Sequence, residues 1–217
     1  MSETPPPGVS DPAFWRARYR DGSDGWELGG PNPVLVTHLA RRGLPGSAAR
    51  IAVPGCGRGH DARLLAEQGS AVWGFDWAPE ALAAARRLAA GAGDAVTFEE
   101  RDIFRLAGTH DEGSTAYLAF FDGIWEYTCF CAIDPARRAE YVNVLAAILV
   151  PGGWLLADFF PLRDGDGGPP YPVSRDEIRR LLAPHFVVVD EYVPGASAPG
   201  REGLEWMVTA RRRVSRA

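Results

Sequence analysis

Ile51-Ala52-Val53-Pro54-Gly55-Cys56-Gly57-Arg58-Gly59-His60-Asp61, answered by Gly74-Phe75-Asp76, is the stretch that decides the fold. A short apolar run ends in three glycines at alternate positions, and a helical pattern follows at once. Such a strand–loop–helix corner lets backbone approach a nucleotide-like ligand closely, because glycine carries no Cβ and tolerates positive φ. Roughly twenty residues after the first glycine, the apolar run Ala71-Val72-Trp73-Gly74-Phe75 ends in Asp76, a carboxylate able to accept both hydroxyls of a ribose. The expectation is an adenosine-containing cofactor, against the plainer alternative of a glycine turn that only packs helix on strand.

The dinucleotide fingerprint G-x-G-x-x-G requires glycine where this chain has His60, so that a pyrophosphate can rest on the helix N-terminus. Here the spacing is G-x-G-x-G, with Arg58 and His60 beside the glycines. That variant suits a ligand without phosphates whose amino-acid end passes over the loop, as in S-adenosylmethionine. A third run, residues 96–104, reads as a strand ending in Asp102. In a doubly wound sheet that end lies beside the first two. Asp102 could then accept from an adenine amino group while Ile103 covers the ring, unless it is a solvated loop aspartate.

Length and composition narrow the class. At 217 residues, 46% hydrophobic and 24% charged, the chain reads as one soluble globular domain over 11–217, with 1–10 a disordered lead-in. Residues 11–45 form an N-terminal segment rich in aromatics. No apolar run nears the ~20 residues of a membrane span. The first residues lack the basic and apolar regions of a secretory signal, and three cysteines make no disulfide framework. A cytoplasmic location is expected, with a monomer favoured and a dimer left open. All 23 basic residues are arginine, which excludes Schiff-base, P-loop and kinase-type lysine chemistry. The formal net charge of −5 argues against a nucleic-acid partner, so the basic residues 211–216 read as a frayed, solvated end.

Further along, helical patterns cover 61–68, 79–90 and 135–149, the last stopped by Pro151-Gly152-Gly153. Strands are expected at 120–127, at 154–160, and at 186–192 and 204–211. Ser174 with Glu177 three residues later reads as a capping box. Alternating strands and helices imply an α/β fold with a parallel sheet covered on both faces. No metal-ligand motif and no G-x-S-x-G elbow occurs. The Asp/Asn-Pro-Pro-aromatic motif of amino-methylating enzymes is missing after the fourth strand, where Tyr127-Thr128-Cys129-Phe130 stands.

Residues 54–61, the long run from Phe121 to Pro135 (FDGIWEYTCFCAIDP) and Gly167-Gly168-Pro169-Pro170-Tyr171 resemble the thiopurine S-methyltransferase superfamily, most closely its thiol and halide methyltransferase branch. The similarity runs from about Trp15 to Gly203. The resemblance implies a class I S-adenosylmethionine-dependent methyltransferase: a doubly wound, Rossmann-like sheet of seven strands, the last antiparallel, with an N-terminal helical lid. It places Trp15, Tyr19, Trp26, Gly55, Gly57, Asp76, Trp77, Asp102, Ile103 and Tyr127 around the cofactor. Two positions depart from the family. Tyr19 stands where relatives have tryptophan. Phe160 stands where plant members have tyrosine, which removes a hydroxyl near the acceptor and weighs against halide more than thiol use.

The implied reaction is in-line displacement at a sulfonium methyl, in which the leaving thioether needs no acid. Aligning the nucleophile and stripping its water is the main task. Aromatic faces attract a sulfonium without competing as nucleophiles, so Trp15, Tyr19 and Trp26 can close over the cofactor, or else merely staple the segment to the core. A thiol is already partly ionised at neutral pH, and the four scattered histidines are not needed as a dyad. Tyr127, Tyr171 and Asp158 are the candidates to orient or deprotonate the acceptor, while Cys129 and Cys131 read as packing residues. The function expected is methyl transfer to a small-molecule thiol or sulfide, with halide or thiocyanate as further acceptors. The alternatives are an O- or N-methyltransferase of a specialised metabolite, a non-catalytic S-adenosylmethionine-binding module, or an oxidoreductase.

Overall fold

The computed structural model describes residues 8–46, 50–90, 95–108 and 116–214. Residues 1–7 of the expected lead-in and His110 lie outside them. The β-branched and apolar runs become β1 (Arg50–Pro54), β2 (Ala71–Asp76), β3 (Val96–Glu100), β4 (Phe121–Tyr127), β5 (Leu149–Phe159), β6 (Phe186–Tyr192) and β7 (Trp206–Arg212). They form one sheet in the order β3-β2-β1-β4-β5-β7-β6. Strands β1 to β5 are parallel, and β7 runs antiparallel to both β5 and β6. The strand order reverses between β1 and β4, and the crevice beyond their carboxyl ends is where such sheets bind ligands.

Side-chain alternation divides the core between the two faces. Ile51, Val53, Val72, Trp125 and Leu156 pack with α2 (Pro33–Arg42), α3 (His60–Glu67) and α4 (Pro79–Ala89). Ala52, Phe75, Ile124 and Leu155 pack with α5 (Arg138–Ile148) and α6 (Arg175–Leu182). Strand alternation thus serves two helical layers at once, as a doubly wound sheet requires. The remaining helix, α1 (Pro12–Asp21), has no buried residue and is tied to α4 by Arg16 and Glu80 at 3.5 Å. Asp11 caps it, Pro12 opens it, and Gly22 closes it in the left-handed region at φ 65°.

Four expectations change in detail. The third strand stops at Glu100, and Asp102 instead caps a short 3-10 turn (Ile103–Arg105) by accepting from the Phe104 amide at 2.9 Å. Strand β5 begins at Leu149 rather than at 154, because Pro151-Gly152-Gly153 makes an irregularity within the strand, with Gly152 at φ 77°. Ser174 caps α6 as expected, but the Glu177 carboxylate of the supposed capping box grips Arg138 instead. The basic end is not frayed at its start. Arg211 and Arg212 belong to β7, and the guanidinium groups of Arg212 and Arg213 donate to Leu149 O and Ala183 O, carbonyls left free at the ends of α5 and α6.

Candidate active site

A cavity of about 540 Å³ opens where the chain leaves the carboxyl ends of β1 to β5. The glycine corner forms its floor. Gly55 has φ 63°, and a Cβ there would lie 3.0 Å from Cys129 Sγ, so any side chain would both strain the backbone and wedge β1 from the loop after β4. Asp76 closes β2 on the cavity wall and is 8% exposed. Its carboxylate oxygens accept from the amides of Gly57 and Ala78, each at 2.9 Å. Burial raises its pKa, and those amides pull it back down. The Trp77 amide also acts on this carboxylate in the same direction.

The N-terminal segment supplies the opposite wall. Trp26 meets Trp15 edge-on at 5.6 Å and Tyr19 at 5.5 Å, and its indole N–H donates to the Tyr19 hydroxyl at 3.3 Å. Trp15 is in turn anchored by donating to Val9 O at 2.8 Å. Burial and the nearby Asp76 charge push the Tyr19 phenol well above its ordinary value, so it stays neutral. The segment is clasped to the glycine corner by charge. Arg58 pairs with Asp24 at 2.5 Å, and His60 Nε2 lies 3.0 Å from Glu27. Arg63 donates to His60 Nδ1 at 2.8 Å, which leaves the hydrogen on Nε2 and makes His60 the donor to Glu27.

Trp15, Tyr19, Trp26, Gly55, Asp76, Trp77 and Ile103 all line this cavity. Gly57 and Tyr127 line a smaller space of about 70 Å³ that shares Trp26, Gly55 and Thr128 with it. Asp102, Tyr171 and Asp158 line neither. Asp102 Oδ1 accepts from the Phe104 amide in its own turn, and its other oxygen faces Arg105 at 3.6 Å. Tyr171 holds its backbone amide on Cys131 O at 2.7 Å, behind the wall. Asp158 is fully buried in β5 and accepts from Asn32 Nδ2 at 2.9 Å. Burial and the neighbouring Glu205 push its carboxyl well above the ordinary range.

Sequence reasoning missed Arg201. It follows a turn at Gly200, is 8% exposed, and lines the large cavity. Its guanidinium donates to the Tyr127 hydroxyl and to Trp26 O (3.2 Å), and lies over the Phe160 ring at 4.8 Å. Among the described residues no carboxylate forms an ion pair with it. Cys129 and Cys131 also line the cavity, but burial raises both thiols, so neither is a ready thiolate.

The family described as thiopurine S-methyltransferase (TPMT) matches residues 10–212. The chain belongs to this family. As a thiopurine S-methyltransferase family member it is a methyltransferase that uses S-adenosylmethionine. It is 32% identical over 195 residues to probable thiol methyltransferase 2 of Arabidopsis thaliana, covering 88% of this chain and 81% of that one. It is 31% identical to thiocyanate methyltransferase 1 of Brassica oleracea, over 82% of this chain and 75% of the relative. The crystal structure of Burkholderia thailandensis 1,6-didemethyltoxoflavin-N1-methyltransferase, with bound 1,6-didemethyltoxoflavin and S-adenosylhomocysteine, superposes with a TM-score of 0.72 at 25% identity, over 98% and 94% of the two chains. The site of this family member suits the cofactor on its own geometry. A glycine corner, the Asp76 carboxylate and six aromatic side chains, among them Trp15, Tyr19 and Trp26, line the cavity, and no lysine competes for the methyl group.

Proposed function

We propose that this protein transfers the methyl group of S-adenosylmethionine to a small-molecule thiol or sulfide, taken as its anion beside Arg201. The observation that carries the reading is the buried Arg201 guanidinium on the cavity wall, held by the Tyr127 hydroxyl and a backbone carbonyl rather than by a carboxylate. A buried guanidinium in direct contact with no carboxylate, with Asp158 and Glu205 acting on it only from further off, draws an anion and lowers the pKa of a thiol placed beside it. Asp76, Gly55, Ile103 and the three lid aromatics are the groups proposed to hold the cofactor. When bound, S-adenosylmethionine supplies an activated methyl on a sulfonium whose leaving group is a neutral thioether.

What the chain itself must do is bind, orient and dehydrate. Trp15, Tyr19 and Trp26 cover the site and offer no competing nucleophile. Phe160 and Arg201 present one apolar and one cationic surface to the acceptor, which suits a soft anion better than a hydrated oxyanion. Burial raises the Tyr127 phenol, and Arg201 donates to it, so Tyr127 supports Arg201 and is not the base. The thiol proton leaves to solvent before attack, as the ordinary ionisation of thiols near neutral pH permits. The three free cysteines support a reducing, cytoplasmic setting, and a small solute needs no partner chain to bring it to the site.

The test is a panel of hydrosulfide, alkyl thiols, aryl thiols and thiopurines, scored by S-adenosylhomocysteine release and by the methylated product. Turnover on at least one thiol supports the reading. Turnover on phenols or amines alone would overturn it in favour of an O- or N-methyltransferase, the reading that the toxoflavin enzyme's likeness favours. Thiocyanate and iodide belong in the same panel, since the Brassica relative is named for thiocyanate.

A further inference from the structure

We propose that Glu126, which lines neither cavity, is the positioning residue for the acceptor-side wall of the methyl-transfer site. The inference rests on reading the large cavity as that site. Its starting point is a carboxylate where a parallel strand should be apolar. Glu126 is the penultimate residue of β4, paired in register with Ala157 of β5, and 1% exposed. A carboxylate so placed is costly unless it does something for its neighbours.

What it does is hold a turn. Directly after β4, Thr128 takes φ 60°, an unfavourable value for a β-branched residue, and the chain folds back on itself. Glu126 Oε1 accepts from the Phe130 amide at 2.6 Å, fixing the reversal from below. The amides of Ala132 and Ile133 then close on Cys129 O at 3.0 and 3.2 Å. The segment so shaped contributes Thr128, Cys129, Cys131, Ala132, Ile133 and Asp134 to the cavity wall, more than any other loop.

A second layer braces it. Arg138 of α5 is 3% exposed, with its guanidinium over the Phe130 ring at 4.8 Å and Nη1 on both Glu177 oxygens at 3.0 and 2.8 Å. Phe130 meets Phe159 edge-on at 5.3 Å, and Phe159 precedes the cavity residue Phe160. The groups that face Glu126 are thus Arg138 and Tyr141 from α5, Cys129 and Cys131 from the loop, and Asp158 from β5. Arg138 is the cation among them, and burial pushes the Glu126 pKa up to about 7 even so. Neither charge state is indispensable for the contact, because a neutral carboxyl or an amide can accept the Phe130 N–H through one oxygen.

That last point defines the experiment. Amide exchange at residues 129–133, S-adenosylmethionine affinity by calorimetry, and acceptor KM and kcat are measured for the full-length wild type, Glu126→Ala and Glu126→Gln. The expected result for Glu126→Ala is at least tenfold faster exchange at Phe130 and at least tenfold higher acceptor KM, with cofactor Kd changed less than twofold. Glu126→Gln should restore both to within threefold of wild type, because its amide oxygen replaces Oε1. Wild-type exchange at Phe130 in Glu126→Ala would overturn the inference, as would failure of glutamine to restore it. Should alanine prevent folding, the glutamine variant decides alone: loss of Phe130 protection in it sinks the proposal, retention with normal KM sustains it. A wild-type enzyme inert on every thiol would refute the proposed acceptor, while the exchange data still decide the role of Glu126.

Discussion

Asp76 is held by two backbone amides before any ligand arrives, which fixes its carboxylate at the cavity wall instead of leaving it to search. Replacing it with alanine removes the charged acceptor proposed for the ribose hydroxyls and should weaken S-adenosylmethionine binding by ~1.5–3 kcal/mol, roughly 10–150-fold in Kd by calorimetry. An unchanged Kd would mean the ribose lies elsewhere. Arg201 predicts the complementary split. Arg201→Met keeps an apolar chain of similar reach but removes the cation that lies over Phe160, and should raise thiol KM about tenfold or more while leaving cofactor Kd nearly intact. Equal loss of both would assign Arg201 to the cofactor instead. The two residues differ in how legible they were. Asp76 follows a glycine corner at a spacing with a physical meaning, whereas Arg201 is one of 23 arginines on a loop, and only the fold carries it to Tyr127 and Trp26. Asp102 and Asp158 carried the same kind of signal as Asp76, an acid at a strand end, but only Asp76 lines the large cavity, while Asp102 caps a turn and Asp158 accepts from Asn32. An acid's address in the sequence does not state which donors reach it first.

Elements were easier to read than side chains because their periodicities are local. β1, β2, α4 and β4 fall within a residue of their expected limits, each bounded by glycine, proline or an abrupt change of polarity. The misreadings occur where long-range partners intervene: β5 extends back to Leu149 because Phe121 is there to pair with, and Arg211 to Arg213 are drawn to carbonyls. The clasp between the α1–α2 loop and the glycine corner is another such feature. Arg58 and His60, conspicuous in the sequence only for not being glycine, bind Asp24 and Glu27 and so latch the aromatic lid. If the clasp holds the lid down, Arg58→Ala should speed S-adenosylhomocysteine dissociation by about 5–30-fold, the equivalent of 1–2 kcal/mol. Stopped-flow tryptophan fluorescence measures it, since Trp15 and Trp26 stand on the cavity wall. The Asp24→Asn/Arg58→Ala pair controls for the charge that the single variant leaves buried. A dissociation rate equal to wild type in both would leave the clasp a purely structural tie.

At the scale of the whole molecule, the site has been assembled by burying acids. Asp61, Asp76, Asp158, Glu126 and Glu205 all have pKa values raised by burial, and they converge on the sheet's ligand-binding end and its neighbouring strands. The sign of the consequence follows from linkage. A group whose folded pKa lies above its unfolded value contributes stability that is complete below the unfolded pKa and is lost as pH rises through the folded one. For Glu126 that window runs from 4.5 to about 7. Across it the fully buried carboxyl should forfeit at most about 3 kcal/mol, at 1.36 kcal/mol per pKa unit. Surface pairs work the other way: Arg137 depresses Glu140, whose contribution is lost on acidification, but that pair is exposed and counts for little. The protein without ligand should therefore unfold at a lower temperature at pH 8 than at pH 5.5. Glu126→Gln, which cannot ionise, should remove a share of that slope worth at most roughly 6–12 °C in Tm, taking 2–4 °C per kcal/mol for a chain of this size. Calorimetric melts of both proteins from pH 5 to 8.5 measure the difference directly. Parallel Tm curves would mean that Glu126 titrates alike in folded and unfolded chains, and that the interior under the cavity wall is wetter than its packing implies.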